Sequence, residues 1–284
     1  MSPSASWLVV NERSGSNSEA ALRELEALLA THGLGVARTI EFPAQELPTR
    51  TDLEAAGVSQ LIVFTGDGTL NAVIDAVSGW AGAVLVLPGG TMNLLSGRLH
   101  GEDTPCDAIL ERIARGAFRP VRPAMAACAA GRAHAGLLVG PGTAWDGVRE
   151  AMRDLDVAGL AQGAGEALAE TTGGSRVRMA DPAIGDQNGY PLIELTPSHR
   201  GLQVDGFLLE NAAEFLQQSF AVLRRRFREG PHERLGLIDC LTIENCAAEP
   251  LQLLIDGEPA SLGPRAEFSV AECPVDLLAT AHGY

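Results

Sequence analysis

Short apolar runs alternate with helically spaced apolar positions through the first hundred residues. Trp7-Leu8-Val9-Val10-Asn11 predicts a strand, after which Leu22, Leu25, Leu28 and Leu29 recur at helical spacing. A second strand is expected at Gly35 to Ile40, followed by a helix broken or preceded by Pro43 and Pro48. Leu61-Ile62-Val63-Phe64 and Ala83-Val84-Leu85-Val86-Leu87 are continuous apolar runs, the pattern of strands buried on both faces. Each runs into a glycine-rich turn and then a helix, the first of these helices spanning Thr69 to Val77. Strands alternating with helices imply a parallel sheet with helices on both faces.

The texture changes near Arg119. A strand is expected at Gly136 to Val139, a helix from Glu150 to Ala169, and a loop or hairpin from Thr171 to Asn188. Phe207 to Phe227 places Leu208, Ala212, Phe215, Leu216, Phe220, Leu223 and Phe227 mostly on one helical face. Leu237 to Glu244, Pro250 to Ile255 and Ala266 to Val270 read as antiparallel strands. The expected architecture is α/β: an N-terminal domain over 1–122, joined by the C-terminal end 274–284, and a β-rich domain over 123–273. A cleft is expected between them.

Charge narrows the chemistry. A net charge of −15 argues against nucleic acid as a partner and against electrostatic docking on anionic lipid. All 21 basic residues are Arg, so a Walker A lysine, a protein-kinase strand lysine and a Schiff-base lysine are excluded. Phosphate could be handled only by backbone N–H groups, hydroxyls, Asn, Arg or a metal ion. The 5 cysteines form no CxxC pair, which disfavours a disulfide framework or a zinc site. The N-terminus lacks the basic start and apolar core of a signal peptide, and no apolar run reaches the roughly 18 residues of a membrane span. A cytoplasmic location is expected.

Candidate chemistry lies at four turns. Gly66-Asp67-Gly68-Thr69 follows a buried strand and opens a helix, where glycine permits close backbone approach and the helix start favours an anion. Asp67 could orient magnesium or water, and Thr69 or Asn71 could donate to a phosphate oxygen; equally, Asp67 or Thr69 could be a plain helix cap. Pro88-Gly89-Gly90-Thr91-Met92-Asn93 repeats the arrangement at the same sheet edge, where open α/β sheets bind ligands. Asn11-Glu12-Arg13-Ser14-Gly15 follows the first strand and either binds phosphate or caps the next helix. Asp256-Gly257-Glu258 reads as a hairpin turn, with Glu258 a candidate general base. Arg224-Arg225-Arg226 with Arg228 could meet a lipid head group or simply end an amphipathic helix.

These motifs, in this order, resemble the diacylglycerol kinase catalytic family, which includes bacterial lipid kinases, sphingosine kinase and ceramide kinase and is related in fold to NAD kinase and phosphofructokinase. Its Asn-Pro-x-Ser-Gly is matched by Asn11, Ser14 and Gly15, with Glu12 in place of Pro. Its Gly-Gly-Asp-Gly-Thr-x-Asn-Glu is matched by Gly66, Asp67, Gly68, Thr69 and Asn71, with Thr65 and Ala72 in place of the first Gly and the Glu. Its Pro-x-Gly-Thr-x-Asn-Asp is matched by Pro88, Gly90, Thr91 and Asn93, with Leu94 in place of Asp. Thr39, placed at the end of the second strand, resembles a nucleotide-contacting threonine, and Gly230-Pro231-His232 a short signature of the second domain.

The resemblance implies ATP and magnesium bound at the sheet edge in an interdomain cleft. A lipid hydroxyl would be the acceptor, with Glu258 as its general base, and a transient peripheral membrane contact is possible. Asp205, in a segment similar to one that holds a structural magnesium, is the implied metal ligand, although Leu209 stands where a second Asp is expected. Thr65 would distort its turn if that position required a positive φ. A catalytically degenerate nucleotide-binding regulator and a kinase of a soluble hydroxyl compound are the competing readings. Oligomeric state is left open.

Overall fold

The computed structural model describes residues 5–11, 18–140, 175–207 and 232–281. The chain divides into two compact units, Met1–Pro123 with Cys273–Tyr284, and Ala124–Glu272.

In the first unit, β1 (Ala5–Asn11), α1 (Glu19–Thr31), β2 (Val36–Phe42), α2 (Arg50–Ala55), β3 (Val58–Thr65), α3 (Asp67–Ala76) and β4 (Ala83–Pro88) alternate as expected. α4 (Leu94–His100), α5 (Cys106–Ala114) and β5 (Arg119–Val121) follow. The sheet order is β2-β1-β3-β4-β17-β5, where β17 (Asp276–Ala279) returns from the chain's end. β17 runs parallel to β4 and antiparallel to β5. Leu61, Ile62, Val84 and Leu85 are wholly buried, which is why these runs carry no polar alternation. Helix starts follow local chemistry: Ser18 caps α1, and Thr49 with Asp52 forms a capping box on α2.

The second unit comprises β6 (Ala124–Cys128), β7 (Gly131–Ala133), β8 (Leu137–Gly140), β9 (Val177–Asp181), β10 (Leu192–Ser198) and β11 (Gly201–Phe207). It continues with β12 (His232–Ile238), β13 (Cys240–Asn245), β14 (Leu251–Ile255), β15 (Glu258–Leu262) and β16 (Arg265–Glu272). A six-stranded sheet, β12-β11-β10-β8-β14-β15, and a five-stranded sheet, β7-β6-β16-β13-β9, are both antiparallel in their pairings. They share one core, with Val139, Ile193, Leu195 and Val204 from the first and Met179, Ile243 and Phe268 from the second.

Three expectations fail here. The apolar stretch Leu237 to Glu244 is two strands, because β12 and β13 on either side of Asp239 belong to different sheets. The segment expected to be loop or hairpin contains β9, which buries Val177 and Met179 while Arg178 turns outward to Glu244. Phe207 closes β11 instead of opening a helix. The helices expected over 150–169 and beyond 207, and the Arg224 to Arg228 cluster, lie outside the described residues.

The chain's end is fastened to α4. Thr280 and Ala281 both donate their backbone N–H to Leu99 O, at 3.0 and 3.1 Å. His100, 2% exposed, lies 2.9 Å through Nε2 from Val86 O and 3.0 Å through Nδ1 from Thr280 Oγ1. A carbonyl only accepts, so Nε2 carries the proton and Nδ1 accepts from the Thr280 hydroxyl. Arg112 donates to His100 O at 3.0 Å. Burial, opposed by the bond to Val86 and assisted by the nearby Arg112 charge, lowers the His100 pKa to about 4.

The folded pKa thus lies below the unfolded value of 6.5. Stability from the neutral ring is complete above pH 6.5 and is lost as pH falls towards about 4. The loss over that window is on the order of 3 kcal/mol. Urea unfolding at pH 7 and pH 4.5 should show this drop in the wild type and a smaller one in His100→Gln.

Candidate functional site

The carboxyl edge of the parallel sheet brings together the end of β1 and the turns after β3 and β4. Val10 pairs with Phe64 and Phe64 with Leu87, while Thr65 pairs with Pro88, so β1, β3 and β4 end at one level. β2 reaches that level at Phe42, which pairs with Asn11. Thr39 pairs with Leu8 in the row of Ile62 and Leu85, three residues short of the edge. At about 3.3 Å per residue that is roughly 10 Å away. Placing Thr39 at the strand's end was therefore wrong: the strand continues, and Thr39 does not join the cluster. Ser14 lies outside the described residues.

The turns interlock. α3 begins at Asp67 with Gly66, which has no side chain to cap with, as its N-cap. The plain-cap reading of Asp67 and Thr69 is excluded by that geometry. Asp67, Gly68 and Thr69 form the first helical turn and are all partly exposed, with Asn71 one turn further in. Asn11 Nδ2 donates to Thr69 Oγ1 at 2.8 Å, joining the end of β1 to the helix start. Asp67 Oδ1 lies 3.5 Å from Leu95 N, joining that start to α4.

Glycine is required at the second turn by proximity, not by φ. A Cβ on Gly90 would stand 2.6 Å from Gly66 Cα, and one on Gly89 would stand 2.6 Å from Thr65 N. Neither glycine has positive φ. The left-handed residue is Asn93 (φ 52°, ψ 39°), whose Oδ1 accepts from Gly90 N and whose Nδ2 donates to Gly90 O, each at 2.7 Å. Asn93 thus spends its side-chain amide on holding this turn, which leaves exposed Thr91 as its outward hydroxyl. Thr65 is an ordinary strand residue without positive φ, and its hydroxyl donates to Gly66 O at 3.2 Å. The replacement of glycine at 65 therefore does not strain the turn.

In the second unit, Ile255 pairs with Glu258 across a two-residue turn. Asp256 (φ 49°) and Gly257 (φ 90°) both have the positive φ of a type I′ hairpin. The Asp256 carboxylate points inward: Oδ2 accepts from His134 N at 2.7 Å, and Oδ1 accepts from Ala135 N at 2.8 Å and Gly136 N at 3.1 Å. It binds the hairpin to the start of β8 and leaves Glu258 exposed on a fixed turn. Sequence reading found the turn but not the role of Asp256, because its three donors lie about 120 residues away.

Asp205, the implied metal ligand, is engaged by protein partners. Arg234 Nε lies 3.2 Å from Oδ1, and Gln203 Nε2 donates to Oδ2 at 2.6 Å. Glu194 pairs with Asp205 across the strands, and burial, with Asp205's charge adding to it, raises the Glu194 pKa to about 7. The Arg234 guanidinium and the Gln203 amide are thus the groups that meet this carboxylate. Among the described residues, no group of three or more His, Cys, Asp or Glu is placed to hold a metal.

Residues 5–126 match the diacylglycerol kinase catalytic domain. That span holds all three turns of the sheet edge. A structure described as "putative diacylglycerol kinase" from Bacillus anthracis str. Sterne is 17% identical, with 99% of this chain and 98% of that one covered and a TM-score of 0.61. A second, described as a diacylglycerol kinase from the same organism, is 16% identical, with 97% and 96% covered and a TM-score of 0.58. At these identities the likeness is one of fold, and it extends over both units. No curated protein matches the chain by sequence.

Two contrasts test this geometry. Gly90→Ala should cost about 1–3 kcal/mol of stability through the clash with Gly66, whereas Thr65→Gly should cost only about 1 kcal/mol. Asp256→Ala should cost about 3 kcal/mol by leaving one buried and two part-buried N–H groups without their carboxylate, while Glu258→Gln should be neutral. Urea unfolding measures all four.

Proposed function

We propose that the protein is an ATP-dependent kinase that phosphorylates a lipid hydroxyl. The observation that carries this is the interlocking of the end of β1 with the turns after β3 and β4, at the edge of the domain that matches the diacylglycerol kinase catalytic domain. With no lysine in the chain, the triphosphate is held by N–H groups at the start of α3 and by hydroxyls, chiefly those of Thr69 and Thr91. Asp67 is the acidic group of that edge and would hold the magnesium that accompanies ATP. The ion's chemistry is to neutralise charge on the phosphate oxygens.

Glu258 is the general base. Its carboxylate takes the proton of the acceptor hydroxyl as the oxygen bonds to the γ-phosphorus. The bond from that phosphorus to the bridging oxygen breaks, and ADP leaves with the electron pair. Asp256 positions this base through the three bonds that fix its hairpin. A lipid acceptor is supported by the designations of the matched domain and structures. Among the described residues no helix is long and apolar enough to cross a membrane, and the proposed enzyme works from the cytoplasm by transient contact with a bilayer.

Purified protein with magnesium–ATP and a panel of lipids that includes diacylglycerol and sphingosine should release ADP only when an acceptor is present. Glu258→Gln should reduce turnover at least a hundredfold, in the range of a lost general base, while binding ATP as the wild type does. ATP binding without transfer to any lipid or soluble alcohol would favour a non-catalytic nucleotide-binding role, consistent with Ala72 and Leu94.

A further inference from the structure

The contact between the end of β1 and α3 has a direction. Asn11 Nδ2 and Thr69 Oγ1 are 2.8 Å apart, and an amide nitrogen only donates. The threonine oxygen is therefore the acceptor, and its own proton must point away from Asn11. Asn11 ends β1 and is 9% exposed, so the donor is held by the sheet. Thr69 is partly exposed in the first turn of a ten-residue helix whose N-cap is Gly66. A threonine hydroxyl on an open surface rotates among staggered positions. Here one lone pair is fixed from behind, and the proton is left to the side that faces away from the sheet.

Resting on the kinase reading above, we infer that Asn11 is a positioning residue that aims the Thr69 hydroxyl at a phosphate oxygen of the nucleoside triphosphate. Asn11 does not itself touch the nucleotide. Its amide serves Thr69 as that of Asn93 serves Gly90: each holds a neighbouring group in place. The contribution is preorganisation: a donor already oriented towards an anion needs no reorientation when the anion arrives. This differs from what the family pattern alone implies for Asn11, a direct contact with nucleotide.

A double-mutant cycle on the full chain decides it, with the dissociation constant of magnesium–ATP measured by calorimetry for the wild type, Asn11→Ala, Thr69→Val and the double variant. A hydrogen bond to a charged group is worth roughly tenfold to a hundredfold in affinity. Thr69→Val should weaken binding by about that factor, Asn11→Ala by about tenfold, and the double variant by no more than about twofold beyond Thr69→Val. Thr69→Ser should bind like the wild type and stay sensitive to Asn11→Ala. Should Asn11→Ala fail to fold, Asn11→Asp keeps the shape but only accepts. It turns the Thr69 proton inward and should weaken binding by about tenfold or more.

An equal effect of Asn11→Ala in the Thr69→Val background and in the wild type would overturn the inference, since Asn11 would then touch nucleotide directly. No effect in the wild type would overturn it as well. A wild type that binds no nucleotide would remove the kinase reading together with it, whereas additive effects in a binding wild type remove this inference alone.

Discussion

The sheet edge depends on one close approach, the backbone of Gly90 against that of Gly66. No side-chain atom fits between them, because a Cβ would stand 2.6 Å from the opposing Cα. That contact brings the turns after β3 and β4 into one surface, and the polar bonds around it follow. Asn93 takes the left-handed conformation and ties its amide to Gly90, and Asp67 reaches across to Leu95. Backbone groups of two loops then lie together at one sheet edge, as a chain without lysine requires if it is to hold a polyphosphate.

The same economy appears in the second unit. Asp256 is buried, and its carboxylate answers three N–H groups of the residues leading into β8. The exposed acid two residues later, Glu258, is thereby presented on a hairpin whose register is fixed from within the sheet. Asp205 follows a different logic. Its charge is met by Arg234 and Gln203.

The parallel sheet was legible because strands buried on both faces must be apolar throughout, and the runs at 61–64 and 83–87 are. The motif turns were legible because strand, glycine and helix follow each other within a few residues. What escaped was set by distant partners. β9 alternates Val177 and Met179 with Arg178, whose charge is paired from β13, and so it read as loop. The strand change at Asp239 leaves no mark in an apolar pattern. Thr39 was misplaced because the strand's end is fixed by pairing with Asn11, not by local composition. Asn93 read as a ligand contact although its partner, Gly90, is only three residues away. That bond needs a left-handed φ which sequence does not display.

The central claim is that the interlocked turns are the nucleotide site. Amide hydrogen exchange of the full chain with and without magnesium–ATP reads it directly. Slower exchange should appear on nucleotide addition at residues 66–71 and 89–93, with Thr39 and its neighbours in the middle of β2 unchanged. Unchanged exchange at both turns under saturating nucleotide, or protection confined to other segments, would contradict it.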